Sequence, residues 1–203
     1  MPEDTDDSSK ETADSIRTVP PDADPVEFSR ALAAQIGDRN VWIANSGGVA
    51  PAHLETMGLD PDFVLSVNQA ATEATTDHHP LKDGYVNDQD QFTEAIDAAR
   101  HRLSNEGTVI VNCAAGISRS TTVAATALAA KEDLRFEAVV EEIKETRPKA
   151  RPHPKLQFNA LAYLATVEDR NTARRQFEQM AEDTPIGRSD EDVIEKVFSS
   201  DSS

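Results

Sequence analysis

Cysteine is nearly absent from this sequence, with one residue, Cys113, among 203. A lone thiol excludes an intramolecular disulfide framework and a four-cysteine zinc site. Aromatic residues are scarce as well, at 5% of the chain, so the core has to rest on Ala, Val, Leu and Ile. No run of about 18 apolar residues occurs, which excludes a membrane-spanning helix. The opening stretch MPEDTDDSSKETADS lacks the apolar segment of a secretory signal, so a soluble, cytoplasmic protein is expected. Positive charge is also short: 20 Lys+Arg stand against 37 Asp+Glu, for a net charge of −17. That field repels nucleic acid and anionic membranes, so neither is expected as a partner. Of the 20 basic residues 7 are Lys and 13 Arg. A carboxylate-rich, lysine-poor surface suits concentrated salt, where screening removes self-repulsion, and a halophilic protein is expected. The plainer reading is an ordinary acidic protein whose tails supply part of the charge.

What is present divides the chain in three. Residues 1–23 read as a disordered acidic arm, 24–170 as one folded domain and 171–203 as a polar tail. Within that tail Val193, Ile194, Val197 and Phe198 form a short amphipathic stripe in Ser189–Phe198, fit to dock on the domain or a partner. The domain opens with DPVEFSRALAAQIG, where Asp24 can N-cap, Pro25 suits the first helical position and Glu27 completes a capping box. Phe28, Leu32 and Ile36 then share one helical face, which Gly37 ends. NVWIAN (40–45), DFVLSVNQ (62–69) and GTVIVNC (107–113) read as strands, the last two buried on both faces. GGVAPAHLETMGLD reads as a turn leading into a short helix, and residues 70–90 read mostly as loop. Phe92, Ile96, Ala99 and Leu103 mark a helix, SRSTTVAATALAAKED (118–133) a second one of small residues, and Phe136, Val139, Val140 and Ile143 a third, stopped before Pro148. PKLQFNALAYLATVEDR is a last core helix. This order predicts an α/β fold with a central, mostly parallel sheet of about four or five strands flanked by helices.

The single cysteine sits in VIVNCAAGISRST (109–121), between a buried strand and a helix start. Backbone N–H groups converge in such a turn and the helix N-terminus adds positive potential, which favours a thiolate and binds a tetrahedral dianion. Gly116 gives the backbone freedom to curl, and Arg119 offers a planar guanidinium that can grip two phosphate oxygens. A nucleophile, an amide cradle over Ala114, Ala115, Gly116, Ile117, Ser118 and Arg119, and a bidentate clamp thus fall within a few residues. The bland alternative is a small buried cysteine on a core strand beside a surface arginine; the strand–glycine turn–helix context argues against it.

VNCAAGISRST resembles the signature loop of the dual-specificity protein phosphatases, of the Cys-x₅-Arg-Ser/Thr type, within the protein tyrosine phosphatase superfamily. The likeness extends to VWIANSGGVAPAHLETMGLDPDFVLSVNQ, to PLKDGYVNDQDQFTEAIDAA as the acid-bearing loop and its helix, and to IKETRPKARPHPKLQF as the closing segment. The resemblance implies hydrolysis of phosphorylated protein side chains through a phosphocysteine on Cys113, with Arg119 and the loop amides on the phosphate oxygens. Ser120 resembles the hydroxyl residue that bonds the thiolate and eases its departure. No metal or cofactor is implied, because the cradle supplies the positive charge. For the general acid the resemblance points to Asp83, with Asp77, Asp88 and Asp90 as rivals. One departure is Asn112, where the family commonly has histidine: its amide can make loop-ordering hydrogen bonds but carries no charge. Lys155 departs similarly, replacing a frequent asparagine.

Other chemistries fit these residues less well. His78 and His79 point in different directions on an extended chain and have no third ligand at helical or turn spacing, so they read as loop residues near the substrate mouth. His101 reads as a surface or packing residue; His153 and Lys155 can face a phosphorylated substrate. A lipid phosphatase would carry lysines in the loop, and AAGIS has none. A low-molecular-weight phosphatase or arsenate reductase places its cysteine near the N-terminus, and a rhodanese lacks the preceding acid loop. A phosphatase of a non-protein ester and a phosphopeptide-binding module that has lost turnover stand as alternatives. No feature specifies the physiological substrate, the preference between phosphotyrosine and phosphoserine, or the oligomeric state.

Overall fold

Ala33–Gln35 (β1), Val41–Ala44 (β2), Phe63–Ser66 (β3), Asp77–His78 (β4) and Val109–Asn112 (β5) form one sheet in the order β1-β2-β5-β3-β4. The computed structural model that places them describes residues 31–104 and 107–167, with positions 175, 176, 179 and 182 besides. The expected acidic arm, the polar tail and its Ser189–Phe198 stripe lie outside the described residues. Four of the strands run parallel and β1 is antiparallel to β2. The α/β fold and mostly parallel sheet expected from the sequence are therefore observed.

The inner strands are apolar at successive positions because both faces of the sheet are covered. Val41, Ile43, Phe63, Leu65, Val109 and Val111 turn to one face and join the main core. Ala44, Val64 and Ile110 turn to the other and pack with Val49 and Leu54 from the short helix Pro51–Met57 (α1). Four helices build the main core: Gln89–Leu103 (α2), Arg119–Glu132 (α3), Phe136–Thr146 (α4) and Pro154–Thr166 (α5). Asp88 caps α2 by accepting a bond from the Gln91 N–H at 3.0 Å, and Phe92, Ile96, Ala99 and Leu103 are buried along one face. Phe136, Val139, Val140 and Ile143 are likewise buried in α4.

Helix α3 lies at the centre, packed against α2, α4 and α5 as well as β5 and β2. Its small residues permit this approach, and every position from Arg119 to Ala130 is buried. Two hydroxyls in that dry environment are satisfied locally: Thr122 Oγ1 donates to the Ser118 carbonyl at 2.8 Å and Thr126 Oγ1 to the Thr122 carbonyl at 2.7 Å. The start of α3 is thereby held rigidly at the C-terminal edge of the sheet, where ligands bind in open α/β folds.

Two segments differ from the sequence reading. The helix expected to run to Gly37 is not formed over residues 33–35, which are an edge strand paired Ala33↔Ala44, Ala34↔Ile43 and Gln35↔Trp42; residues 24–30 lie outside the described part. A glycine at φ +54 serves a hairpin turn as well as a helix end, and pairing with β2 outweighs the helical preference of alanine. Within 70–90, read as loop, β4 adds a two-residue edge strand beside β3, paired Leu65↔Asp77 and Ser66↔His78.

Candidate active site

Strand β5 ends at Asn112 and α3 begins at Arg119, so residues 113–118 form a turn between a buried strand and a buried helix. The Cys113 N–H donates to the Ala44 carbonyl at 3.2 Å, which extends the β2–β5 pairing up to the cysteine. Beyond it the chain curls, and Gly116 at φ +61 allows the curl. A Cβ there would stand 2.9 Å from the Ala44 carbonyl carbon and the Asn45 nitrogen, so glycine is also needed for space.

From Ala114 to Ile117 the loop's carbonyls point outward to donors from other parts of the chain, and Ser118 O opens the hydrogen bonding of α3. Ala114 O accepts from the Ser46 N–H at 3.4 Å, Ile117 O from the Arg151 N–H at 2.8 Å and Ser118 O from the Thr122 N–H at 2.8 Å. Ala115 O and Gly116 O each accept from the Arg147 guanidinium at 3.1 Å, through Nη2 and Nε. With carbonyls pinned outward, the amide dipoles turn their N–H ends toward the interior of the curl, which makes an anion nest. Cys113 lies at its base, 2% exposed, with its sulfur 3.3 Å from Ser120 Oγ. Burial alone pushes this thiol up. The Ser120 hydroxyl, the N–H groups of Ser120 and Ile117 and the charge of Arg119 together outweigh it and hold the thiol below its ordinary value.

Arg119 is 8% exposed and lies across the loop. Its Nη1 donates to the Leu81 carbonyl at 3.2 Å and to Asn68 Oδ1 at 3.4 Å, while its buried Nε has no acceptor among the described residues. Asn68 is steadied in turn: its Nδ2 donates to Ser46 Oγ at 3.2 Å, and its carbonyl lies 2.9 Å from His78 Nε2. The acid loop reaches the same place. Asp83 Oδ1 accepts from the Ser118 hydroxyl at 2.8 Å, and Ser118 Oγ accepts from the His153 N–H at 3.1 Å. Of the four aspartates that the sequence offers, Asp83 bonds the cysteine loop directly. Asp77 accepts from the His78 N–H and faces His79 at 3.2 Å, Asp88 caps α2, and Asp90 lies in the first turn of that helix.

The structure thus gathers Cys113, Ser120, Asp83 and the six cradle residues, Arg119 among them, into one place. Asn112 behaves otherwise than expected. Its side chain is fully buried, and neither amide atom finds a partner among the described residues, as with Ser66 Oγ on the paired position of β3. It bonds nothing in the loop, whose order comes instead from Arg147, Arg151, Ser46 and Thr122. Sequence reasoning gave no role to Asn68 or Arg147. For Arg147 the signal was the quoted Arg-Pro segment; for Asn68 it was only a polar residue just past the C-terminal end of a core strand.

This curl, a strand-ending cysteine and a helix-starting arginine around outward carbonyls, can be compared with known families. Residues 51–166 match the family profile described as dual specificity phosphatase, catalytic domain. The chain belongs to the dual specificity phosphatase family. Dual specificity protein phosphatase 5 of Rattus norvegicus is 33% identical over 110 residues, covering 51% of this chain and 29% of that protein. Dual specificity protein phosphatase 15 of the same organism is 33% identical over 104 residues, covering 50% and 42%. The chain therefore spans less than half the length of these relatives. The crystal structure of DUSP15 superposes with a TM-score of 0.55 at 24% identity, covering 72% of this chain and 95% of that one, and shares the fold. Human DUSP28 does likewise, with a TM-score of 0.55 at 17% identity and coverage of 64% and 91%. The dual specificity phosphatase match begins at α1, so β1 and β2 lie upstream of it.

Proposed function

We propose that this chain is a cysteine-dependent phosphoric monoester hydrolase acting on phosphotyrosine, phosphoserine or phosphothreonine in proteins. The observation that carries the reading is the outward pinning of the carbonyls from Ala114 to Ile117 around a thiol held below its ordinary value. Such a nest matches a tetrahedral dianion and supplies its countercharge without a metal.

In the first step the Cys113 thiolate attacks phosphorus and the bond to the leaving oxygen breaks, with that oxygen taking the proton of the Asp83 carboxyl. Arg119 exchanges its long bonds to Leu81 and Asn68 for two equatorial phosphate oxygens, and the N–H groups of residues 114–119 hold the rest. In the second step the Asp83 carboxylate takes a proton from water as the water oxygen attacks phosphorus. The S–P bond breaks, inorganic phosphate leaves, and the Ser120 hydroxyl donates to the restored thiolate. The Ser118 hydroxyl, already bonded to Asp83, orients the acid toward the cradle.

Hydrolysis of an aryl phosphate with a chelator present, in dilute and in concentrated salt, tests this. Chelator-resistant turnover is expected, abolished in Cys113→Ser and cut about a hundredfold or more in Asp83→Asn. Turnover that survives Cys113→Ser would sink the mechanism. Absent turnover with retained affinity for phosphotyrosine peptides would make the chain a reader of phosphate. Turnover indifferent to Asp83→Asn would return the acid to Asp77, Asp88 or Asp90.

A further inference from the structure

Helix α5 carries an amide where its neighbours are apolar. Leu156, Phe158, Leu161 and Leu164 are buried, and Asn159 among them is fully buried as well. A leucine of similar size would gain more from burial, and each amide group withdrawn from water and left unpaired costs about 1–3 kcal/mol. Asn159 leaves none unpaired. Its Oδ1 accepts from the Asn87 N–H at 2.8 Å, and its Nδ2 donates to the Asn87 carbonyl at 2.9 Å and to Gln89 Oε1 at 2.8 Å. Gln89 Nε2 donates in return to the Asn159 carbonyl at 3.3 Å. One side chain thus grips both backbone groups of Asn87 from 72 positions away.

The grip passes on to the acid loop. Asn87 Oδ1 accepts from the Lys82 N–H at 2.7 Å, and its Nδ2 donates to the Lys82 and Tyr85 carbonyls at 3.1 and 3.2 Å. These three bonds close the turn that carries Asp83, with Gly84 at φ +77 beside it. Upstream the loop is moored by Leu81, fully buried, whose N–H donates to the Val67 carbonyl at 3.3 Å and whose carbonyl accepts from Arg119. Asp83 is exposed between these two buried moorings, Leu81 and Asn87. Among the described residues its own side chain is tied by the Ser118 hydroxyl, and the place of its backbone is set by Asn87 and Asn159. A fully satisfied buried network of this kind rigidifies its surroundings and specifies one arrangement.

We propose that Asn159, acting through Asn87, is a positioning residue for the proton transfer from Asp83 to the leaving oxygen, and that reliance on it grows with the basicity of that oxygen. The inference rests on the reading of Asp83 as the general acid. An alkoxide or an unactivated phenoxide leaves as a proton arrives, and a donor displaced by about 1 Å costs about a hundredfold in rate. A strongly acidic phenol departs as its anion, so its ester bypasses the network.

The test compares kcat/KM, which reports the step that forms phosphocysteine, for a phosphotyrosine peptide and for dinitrophenyl phosphate. Asn159→Leu fills the same space without the amide. It is expected to lower kcat/KM about thirtyfold for the peptide and less than about threefold for the dinitrophenyl ester. In Asp83→Asn protein the same change should cost the peptide less than about twofold, since the donor it places is gone. The pH midpoint of Cys113 alkylation should stay where it is. Asn87→Ala, at the loop itself, should reproduce the pattern, and it carries the test if Asn159→Leu does not fold. Equal losses for the two esters, a loss that adds fully to that of Asp83→Asn, or a moved alkylation midpoint would overturn the positioning role. No turnover of either ester by the native chain would remove the phosphatase reading and this inference with it; native turnover with equal losses removes this inference alone.

Discussion

Two arginines stand at opposite ends of the parallel strands, Arg39 half-buried and Arg119 buried, and their partners differ in charge. Arg39, in the turn before β2, donates through Nε and Nη2 to both oxygens of Glu132 at 2.7 and 2.6 Å, and through Nη1 to Glu142 at 2.5 Å. Arg119, at the start of α3, donates among the described residues to a backbone carbonyl and an amide oxygen, at 3.2 and 3.4 Å, and its Nε is unsatisfied there. A fold gains by neutralising a buried cation, and an uncompensated one is costly. Carboxylates on Arg119 would remove that cost and also cancel the charge an anionic ligand needs. Burial of an arginine is thus uninformative until its acceptors are counted: charged acceptors mark a structural clamp, and long neutral ones mark a group set for a ligand.

The comparison breaks most sharply at Arg119. In Arg119→Lys a point charge replaces the planar fork, and kcat for an aryl phosphate is expected to fall about a thousandfold. A fall below tenfold would mean the nest works without its clamp.

Ser120→Ala should have a smaller effect, about tenfold on kcat, concentrated in the second step. Burial raises the pKa of the thiol and the Ser120 hydroxyl lowers it, so removing that hydroxyl moves the midpoint of the alkylation-rate profile to higher pH. Iodoacetamide alkylation as a function of pH reads the shift, and a burst of leaving group reads the slower breakdown of phosphocysteine. A midpoint moving to lower pH would contradict the assignment.

The smallest effect belongs to the other arginine. Arg39→Gln should leave kcat within about twofold and lower unfolding stability by about 1 kcal/mol, as its two carboxylates are partly open to water. Denaturant unfolding measures it, and a large loss of kcat would erase the distinction between the two ends.

How far the sequence could be read follows from how local each feature is. Cys113, the glycine and Arg119 lie on one uninterrupted stretch, so their meeting could be inferred from strand and helix boundaries. The inner strands were readable because burial on both faces leaves continuous apolar runs. β1 was not, since Ala33–Gln35 suits a helix and only its neighbour makes it a strand. Two residues of β4 are too few for any periodicity. Asn68 and Arg147 reach the loop from distant parts of the chain, and a polar side chain carries no local mark of which turn it will meet. Asn112 was misjudged for a related reason: the capacity of an amide to bond says nothing about whether an acceptor lies in range.

The outward pinning of the loop has a consequence for folding. The segment between α4 and α5 holds three of its carbonyls, Gly116 and Ala115 through Arg147, 31 and 32 positions away, and Ile117 through the Arg151 N–H. The shape of the amide nest therefore depends on a segment that follows it in the chain. Detachment of that closing segment, by local opening or by a nascent chain still lacking it, turns the loop's carbonyls loose before the sheet itself is disturbed. The shape of the nest and the docking of the segment between α4 and α5 are in this molecule coupled.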